Sequence, residues 1–291
     1  MRTYAIVWML LAYAQAFAQS PTVLLSENGI ENAYPRLSKD GKRILYQSNR
    51  TGTWQLYVMT VADKSQQRLT NDTFNNNFPD WSADNEWIAF VSDRDGNEEI
   101  YLMKPDGTSL KRLTQDTSRD IHPYFSPDRK YLLFNSDREG PSLDIYRYTL
   151  ETGQTERLIH SSDEETCARY SPDMKTLVLL KNNQLSDDIF LVDASSKALT
   201  NLSNTPNVYH GWPVFSADGQ WIYYSSMEKG TYSIYRIKPD GTAKQQLTKT
   251  KSGEEHARVS LSAEAKLMVY NIKQRKTISI VSQSLENIPK L

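Results

Sequence analysis

Short apolar runs recur along the chain, and polar turn residues separate each run from the next. Clear examples occupy residues 43–48, 87–92 and 131–136. Each run follows a segment that reads proline, any residue, an aromatic residue or leucine, serine, any residue, aspartate and a turn residue, as in 79–85. Brief apolar runs bounded by turn residues are typical of buried β-strands. The pattern therefore predicts a chain built from many short strands.

The serine of this segment returns at a nearly constant interval. Its six occurrences are separated by 44, 44, 45, 45 and 46 residues. They are Ser38, Ser82, Ser126, Ser171, Ser216 and Ser262. A period in the low forties with several strands in each unit indicates a β-propeller.

Each unit reads as four strands. In the second unit we predict strands over 79–82, 87–92, 99–104 and 110–114, separated by turn residues. The predicted fold class is all-β, a six-bladed β-propeller of four-stranded antiparallel blades. We expect it to form a single domain over 19–291.

Both termini offer a strand that could complete the last blade. The segment 22–26 matches the last strand of a repeat before any first strand has appeared, and 288–291 falls at the same position of the sixth unit. A terminal strand that completes the final blade removes an exposed sheet edge. We predict that the N-terminal strand closes the propeller.

The first 18 residues have a different pattern. Arg2 precedes an apolar run over 4–13, and Ala16 and Ala18 supply the small residues that signal peptidase recognises. The run is shorter than the roughly 20 residues needed to span a bilayer. We expect a signal peptide over 1–18, cleaved after Ala18; an uncleaved N-terminal anchor is the alternative.

Composition narrows the partners and the compartment. The chain has 34 Lys and Arg against 35 Asp and Glu, for a formal net charge of −1, so nucleic acid is not an expected partner. The single cysteine, Cys167, leaves no lipid-bearing cysteine at the cleavage site and no disulfide framework. We expect a buried thiol at Cys167. The expected product is a periplasmic or secreted monomer with no membrane span after cleavage.

Several motifs resemble those of the TolB-type propeller family. They are Pro79-Asp-Trp-Ser-Ala-Asp84, Ser92-Asp-Arg94, Ile100-Tyr101 and Leu113-Thr114, repeated in part as Ser136-Asp-Arg138 and Ile145-Tyr146. The resemblance covers about 22–291 and implies six blades. TolB itself carries an additional domain before its propeller, and we expect only the propeller here. Related propellers precede the hydrolase domain of prolyl-oligopeptidase-type peptidases, but the sequence contains no Gly-x-Ser-x-Gly motif.

The innermost strands of a propeller line its channel, so residues that begin those strands can meet at one opening. The position three before the proline position of each repeat, which holds Ala168 in unit four and Val259 in unit six, is polar in all six units. These residues are Asn32, Asn76, Asp120, Glu165, His210 and His256. We add His122 and Trp212 to this predicted ligand-binding set, because they lie one residue before their prolines.

Two carboxylates and two imidazoles suit a divalent metal, the candidate cofactor. The predicted metal ligands are Asp120, Glu165, His210 and His256. The alternative interpretation is a polar channel that binds only water. The aromatic residues expected at the same mouth could stack on a sugar or peptide, or belong to the core. They are Tyr34, Phe78, Tyr209 and Trp212.

Three functional hypotheses follow. The first is a non-catalytic binding protein whose propeller face engages a protein or peptide of the cell envelope, with no catalytic residues assigned. The second is a carbohydrate-active enzyme, a metal-assisted lyase or hydrolase that uses the four predicted metal ligands. The third is a sugar- or metal-binding module at the same mouth. Convergence of the histidines and carboxylates would favour the second and third.

Overall fold

The structure is a computed structural model that describes residues 20–182 and 185–288. The expected signal segment, 1–18, and the C-terminal residues 289–291 lie outside the described residues. No helix in the described part of the chain is long and apolar enough to cross a membrane.

The described residues form six four-stranded antiparallel sheets, which are the blades of a propeller. The chain opens with β1 (Thr22–Leu25). Blade 1 contains β2 (Asn32–Leu37), β3 (Arg43–Ser48), β4 (Gln55–Thr60) and β5 (Gln66–Arg68). Blade 2 contains β6 (Asn76–Trp81), β7 (Ile88–Ser92), β8 (Glu99–Met103) and β9 (Lys111–Arg112). Blade 3 contains β10 (Asp120–Phe125), β11 (Tyr131–Ser136), β12 (Asp144–Thr149) and β13 (Thr155–Ile159).

The second half repeats this order. Blade 4 contains β14 (Glu164–Tyr170), β15 (Thr176–Asn182), β16 (Asp187–Asp193) and β17 (Leu199–Asn201). Blade 5 contains β18 (His210–Phe215), β19 (Ile222–Ser226), β20 (Ser233–Ile237) and β21 (Gln245–Gln246). Blade 6 contains β22 (Glu254–Ser262), β23 (Leu267–Gln274) and β24 (Thr277–Ser284), and a 3-10 turn (Leu285–Asn287) follows. The predicted fold class is confirmed.

The N-terminal strand completes blade 6, as predicted. β1 pairs antiparallel with β24, so that Thr22 lies opposite Ser282 and Val23 opposite Val281. Leu25 is buried in the core that joins blades 6 and 1. The strand is favoured because it buries leucine side chains and satisfies the open edge of β24.

The repeated serine holds the turn between the first two strands of a blade. Ser38 Oγ donates to Asp40 Oδ1 at 2.6 Å and accepts from the backbone N–H of Arg43 at 3.0 Å. Blades 2 to 5 repeat the serine–aspartate bond at 2.6, 2.6, 2.7 and 2.5 Å. In blade 6, which lacks the aspartate, Ser262 Oγ donates instead to the Lys39 carbonyl at 2.7 Å. The motif that reveals the repeat is therefore structural.

In blades 2 to 5 the residue two positions after the proline position is aromatic, and Trp81 shows how it fills the space between blades. Trp81 packs against Leu45 and Leu56 of blade 1 and Ile88 of its own blade. Its indole Nε1–H donates to the Arg36 carbonyl at 3.1 Å. One side chain thus supplies both apolar burial and a hydrogen bond across the blade boundary.

Candidate functional site: the central funnel

Each innermost strand carries a β-bulge at the same point of the repeat. In blade 1 the register shifts between Ala33 and Arg36, and Tyr34 between them has φ of 52°. The six equivalent residues have φ values from 50° to 60°. They are Tyr34, Phe78, His122, Cys167, Trp212 and Arg258, and we call them the bulge ring. Positive φ is uncommon outside glycine, so its return at one position in every blade shows that the fold is built around these bulges.

Side-chain amides of the preceding blade hold the bulges in place. The Phe78 N–H donates to Gln47 Oε1 at 2.7 Å, and the Tyr34 N–H donates to Asn271 Oδ1 at 3.1 Å. These bonds satisfy N–H groups that the bulge removes from the strand ladder. The Cys167 N–H likewise donates to Asn135 Oδ1 at 3.3 Å, so the bulges of blades 1, 2 and 4 are fixed by contacts with the preceding blade.

Bulge-ring side chains meet across the axis of the propeller. The ring centroids of Tyr34 and Phe78 are 4.9 Å apart, and those of Phe78 and His122 are 4.3 Å apart. The Arg258 guanidinium carbon lies 4.5 Å from the ring centroids of both Tyr34 and Trp212. Side chains from five blades thus pack together at mid-channel.

His122 is held neutral within this layer. Both of its ring nitrogens are buried, and neither has a hydrogen-bond partner among the described residues. Burial, reinforced by the positive charges of Arg36 and Arg258, lowers the pKa of His122 to about 3. An uncharged imidazole is the form that suits this aromatic, cation-rich layer.

The polar residues predicted to converge at one opening lie elsewhere. Asn32, Asn76 and Asp120 are buried, and each is bonded to an arginine of its own blade. In blade 3, Arg138 donates to both carboxylate oxygens of Asp120 at 2.9 and 2.8 Å. Burial raises the pKa of Asp120 to about 6, against the hydrogen bond from Ser136 and the charge of Arg138. These side chains serve their blades rather than the axis.

The other three predicted residues also have local partners. Glu165 lies 3.4 Å from Lys181 Nζ, His210 Nε2 lies 2.7 Å from Thr205 Oγ1, and His256 Nε2 lies 3.6 Å from Glu254 Oε2. Within residues 20–182 and 185–288, no group of three or more His, Cys, Asp or Glu side chains is placed to hold a metal. This corrects the expected geometry: Asp120, Glu165, His210 and His256 lie in four different blades, because this repeat position faces partners within its own blade.

The open cavity lies at the opposite end of the innermost strands. It has a volume of about 430 Å³ and is lined by residues from all six blades. Its inner end is formed by the residues two positions after the bulge ring. These are Arg36, Asp80, Tyr124, Arg169, Val214 and Ser260, and we call them the funnel ring and the cavity the funnel. The serine turns of the repeat form its rim.

Charges in the funnel ring are unevenly paired. Arg36 Nε lies 3.5 Å from Asp80 Oδ1, and their side chains are 4% and 13% exposed. The guanidinium carbon of Arg169 lies 3.9 Å from the centroid of the Tyr124 ring. Burial raises the pKa of Asp80, and the charges of Arg169 and Arg36 oppose that rise. Two guanidinium groups therefore share one carboxylate.

The wall of the funnel is largely apolar and aromatic. Trp81, Tyr170 and Phe215 line it, together with Pro127 and Pro172. Aromatic and proline surfaces around a few polar groups are the usual composition of a ligand pocket. The funnel thus combines an apolar wall with a cationic inner end.

A second cavity of about 430 Å³ lies between blades 2 and 3. Trp87, Leu102 and Phe125 line it, and an ion pair between Arg129 and Asp84 joins its two sides at 2.5 Å. It belongs to one blade boundary, whereas the funnel gathers residues from every blade.

Four of the predicted residues meet at mid-channel, but none of them lines the funnel. His122 and Trp212 do reach the channel, and so do the predicted aromatic residues Tyr34 and Phe78. Tyr209 lies apart from them, 41% exposed in the loop before β18. The funnel ring was missed, although one repeat position carried a usable signal: the residue three before the repeated serine is followed by arginine or aspartate in three blades, at Arg36, Asp80 and Arg169.

The chain is similar in sequence and in fold to known proteins. A family model described as the TolB beta propeller domain matches residues 13–107, 79–186 and 144–289. TolB from Acinetobacter baumannii superposes with a TM-score of 0.68 at 25% identity, covering 79% of this chain and 56% of that chain. Oligogalacturonate lyase in complex with manganese superposes with a TM-score of 0.66 at 12% identity, covering 94% and 95%. At that identity the likeness shows the fold alone.

An uncharacterized protein from Agrobacterium fabrum is 34% identical over 103 residues, which is 35% of either chain. The present chain thus spans 56% of the Acinetobacter TolB structure and matches about a third of this relative.

Proposed function

The chain belongs to the TolB β-propeller domain family, and from that premise we propose that it is an exported, non-catalytic binding protein of the cell envelope. In this proposal the funnel takes up a segment of a protein or peptide partner. Export rests on the signal pattern of residues 1–18 and places the protein in the periplasm or outside the cell.

The funnel is the observation that carries the proposal. It is an open cavity to which every blade contributes, with aromatic and proline residues on its wall. Aromatic side chains in a concave site contribute large contact area with little loss of conformational freedom. Such a surface suits an extended peptide with apolar side chains.

The carbohydrate-enzyme alternative finds less support. It requires Asp120, Glu165, His210 and His256 to act together, and these residues have separate partners in separate blades. The likeness to oligogalacturonate lyase concerns the fold and does not transfer that enzyme's activity.

Site-specific photocrosslinking in the native cell tests the proposal. A photoreactive amino acid at Ala217, on the funnel rim, should give a defined protein adduct. The same group at Thr152, exposed on the turn between β12 and β13, is the control and should give none. Equal adducts from both positions, or none from either, would count against the funnel as the binding face. Mass spectrometry of the mature N-terminus tests export directly, with cleavage expected after Ala18.

A further inference from the structure

A buried guanidinium is left with poorly satisfied donors at the inner end of the funnel. Arg36 carries five N–H donors, and its side chain is 4% exposed. Its Nη1 makes a 3.4 Å bond to the carbonyl of Pro35, and its Nε has no hydrogen-bond partner among the described residues. Buried charged groups are normally hydrogen-bonded, so this arrangement calls for an acceptor.

A second cation lies on the same cavity wall. Arg169 stacks on Tyr124 and has no ion-pair partner within 4 Å in the described part of the chain. The carboxylate available to both arginines is Asp80, whose Oδ2 already accepts the Phe125 N–H at 3.1 Å. The funnel ring thus keeps one positive charge in excess, close to an opening.

We propose that Arg36 and Arg169 bind a carboxylate of the partner peptide at the inner end of the funnel. Guanidinium groups match carboxylates in charge and in the spacing of paired hydrogen bonds. The aromatic and proline wall then packs against the side chain next to that carboxylate. This inference rests on the proposed function and names the chemical group by which the partner is held.

The bound segment is a peptide rather than an acidic polysaccharide, because Arg36 and Arg169 lie together at the inner end and the other cation of the lining, Lys39, is at the rim, 3.9 Å from Glu264. An extended polyanion needs cations along its length, whereas the rest of the funnel wall is formed largely by residues such as Leu37, Phe215 and Leu261. One anionic group next to apolar side chains matches the end of a peptide or a single acidic residue within it.

Small probes that differ only in the carboxylate test this inference. N-acetyl-phenylalanine represents a chain terminus and N-acetyl-glutamate 1-amide an acidic side chain; the neutral partners are N-acetyl-phenylalanine amide and N-acetyl-glutamine amide. The Trp81 indole N–H lies in the cavity wall and bonds to the Arg36 carbonyl, so its NMR signal is a built-in reporter. A carboxylate probe should shift this signal in a saturable way, and its neutral partner should not.

Two variants and one control complete the design. Arg169→Gln should weaken binding of the carboxylate probe about tenfold or more. Arg36→Lys keeps the positive charge but loses the paired N–H donors, so it should also weaken binding. The control, Arg119→Gln, removes a 54% exposed arginine that pairs with Glu98 just before β10, at the opposite end of the innermost strands, and should leave binding unchanged. Comparing the two carboxylate probes assigns the source, and a saturable shift with galacturonate but not with either peptide probe would overturn the peptide assignment.

Failure of this inference can be separated from failure of the proposed function. Equal binding of acidic and neutral probes, no shift with any of them, or a shift unaffected by Arg169→Gln would overturn the carboxylate role. An adduct at Ala217 would still support the funnel as a binding face. Carboxylate-specific shifts without that adduct would instead uphold the arginine site and count against a protein partner.

Discussion

Charged side chains are paired closely at one end of the innermost strands and loosely at the other. Where β10 begins, Asp120 receives two hydrogen bonds from Arg138, and that guanidinium also pairs with Asp116 at 2.8 Å. At the funnel ring, Arg36 meets its carboxylate only at 3.5 Å. Charges that are fully bonded inside a blade hold that blade together. An arginine beside an opening whose N–H donors lack close partners can bind an anionic ligand.

Breaking the paired end should have the largest effect. Arg138→Ala leaves the Asp120 carboxylate buried without its counter-charge, so the free energy of unfolding should fall by about 3–5 kcal/mol at pH 7.5. Urea unfolding followed by tryptophan fluorescence measures it. Because burial already raises the pKa of Asp120, protonation relieves the unpaired charge, and the loss should be smaller at pH 5.

Arg119→Ala is the matched control for that experiment. Its side chain is 54% exposed and pairs with Glu98 at 2.8 Å, so its removal should change stability by less than about 1 kcal/mol. Similar losses of unfolding free energy for Arg138→Ala and Arg119→Ala would show that burial does not make the Arg138–Asp120 pair more important for stability than an exposed pair.

The fold was predictable because the same strand pattern recurs six times along the chain. Serine turns, proline-led strands and apolar runs are local features, and each copy supports the same interpretation. Closure by β1 was also accessible, because Leu25 occupies the last-strand position of a repeat. A fold can be predicted from sequence when the local patterns along the chain agree with one another.

The site was less predictable because the bulge decides which side chains face the axis. The predicted set was chosen because its residues begin the innermost strands, but those positions come before the bulge and bond to arginines of their own blades in blades 1 to 3. The bulge instead directs the residues of the bulge ring toward the axis. Polar residues such as Asn32 were assigned to the channel, although they bond within their blades. The side-chain amides that bond to the bulges come from another blade, as Asn271 does for Tyr34. Such a contact joins residues far apart in the chain, so no local sequence pattern predicts it.

Removing the only carboxylate of the funnel ring should separate stability from binding. Asp80→Asn leaves Arg36 and Arg169 without a counter-charge, so the free energy of unfolding should fall by about 1–3 kcal/mol. The added positive charge should at the same time tighten binding of N-acetyl-phenylalanine. Urea unfolding and the Trp81 titration measure the two effects, and weaker binding in this variant would contradict an excess of positive charge.

His122 gives the bulge ring a pH dependence of known sign. Its pKa falls from an ordinary value near 6.5 to about 3 in the folded protein, so the unfolded chain binds more protons between those limits. Stability from this group is present above about pH 6.5 and is lost as the pH falls, at up to about 1.4 kcal/mol per pH unit. His122→Phe should remove that component, measured as the difference between the two unfolding profiles from pH 6.5 to 4.5.

His160→Phe is the control, because His160 is exposed at the end of β13, away from the channel. Other groups that titrate in this window are common to all three proteins and cancel in the differences. A wild-type profile parallel to that of His122→Phe would show that the imidazole is not held neutral in the bulge ring.

The smallest effect on stability should come from the arginine with the largest expected role in binding. Arg169→Gln removes a cation that stacks on Tyr124 and attracts Asp80, but it also relieves the repulsion between Arg169 and Arg36. These contributions oppose one another, so the free energy of unfolding should change by less than about 1 kcal/mol. A loss as large as that of Arg138→Ala would mean that Arg169 is a structural cation, and the distinction between the two strand ends would no longer hold. A near-neutral change together with lost carboxylate binding would show that Arg169 acts in ligand binding rather than in folding.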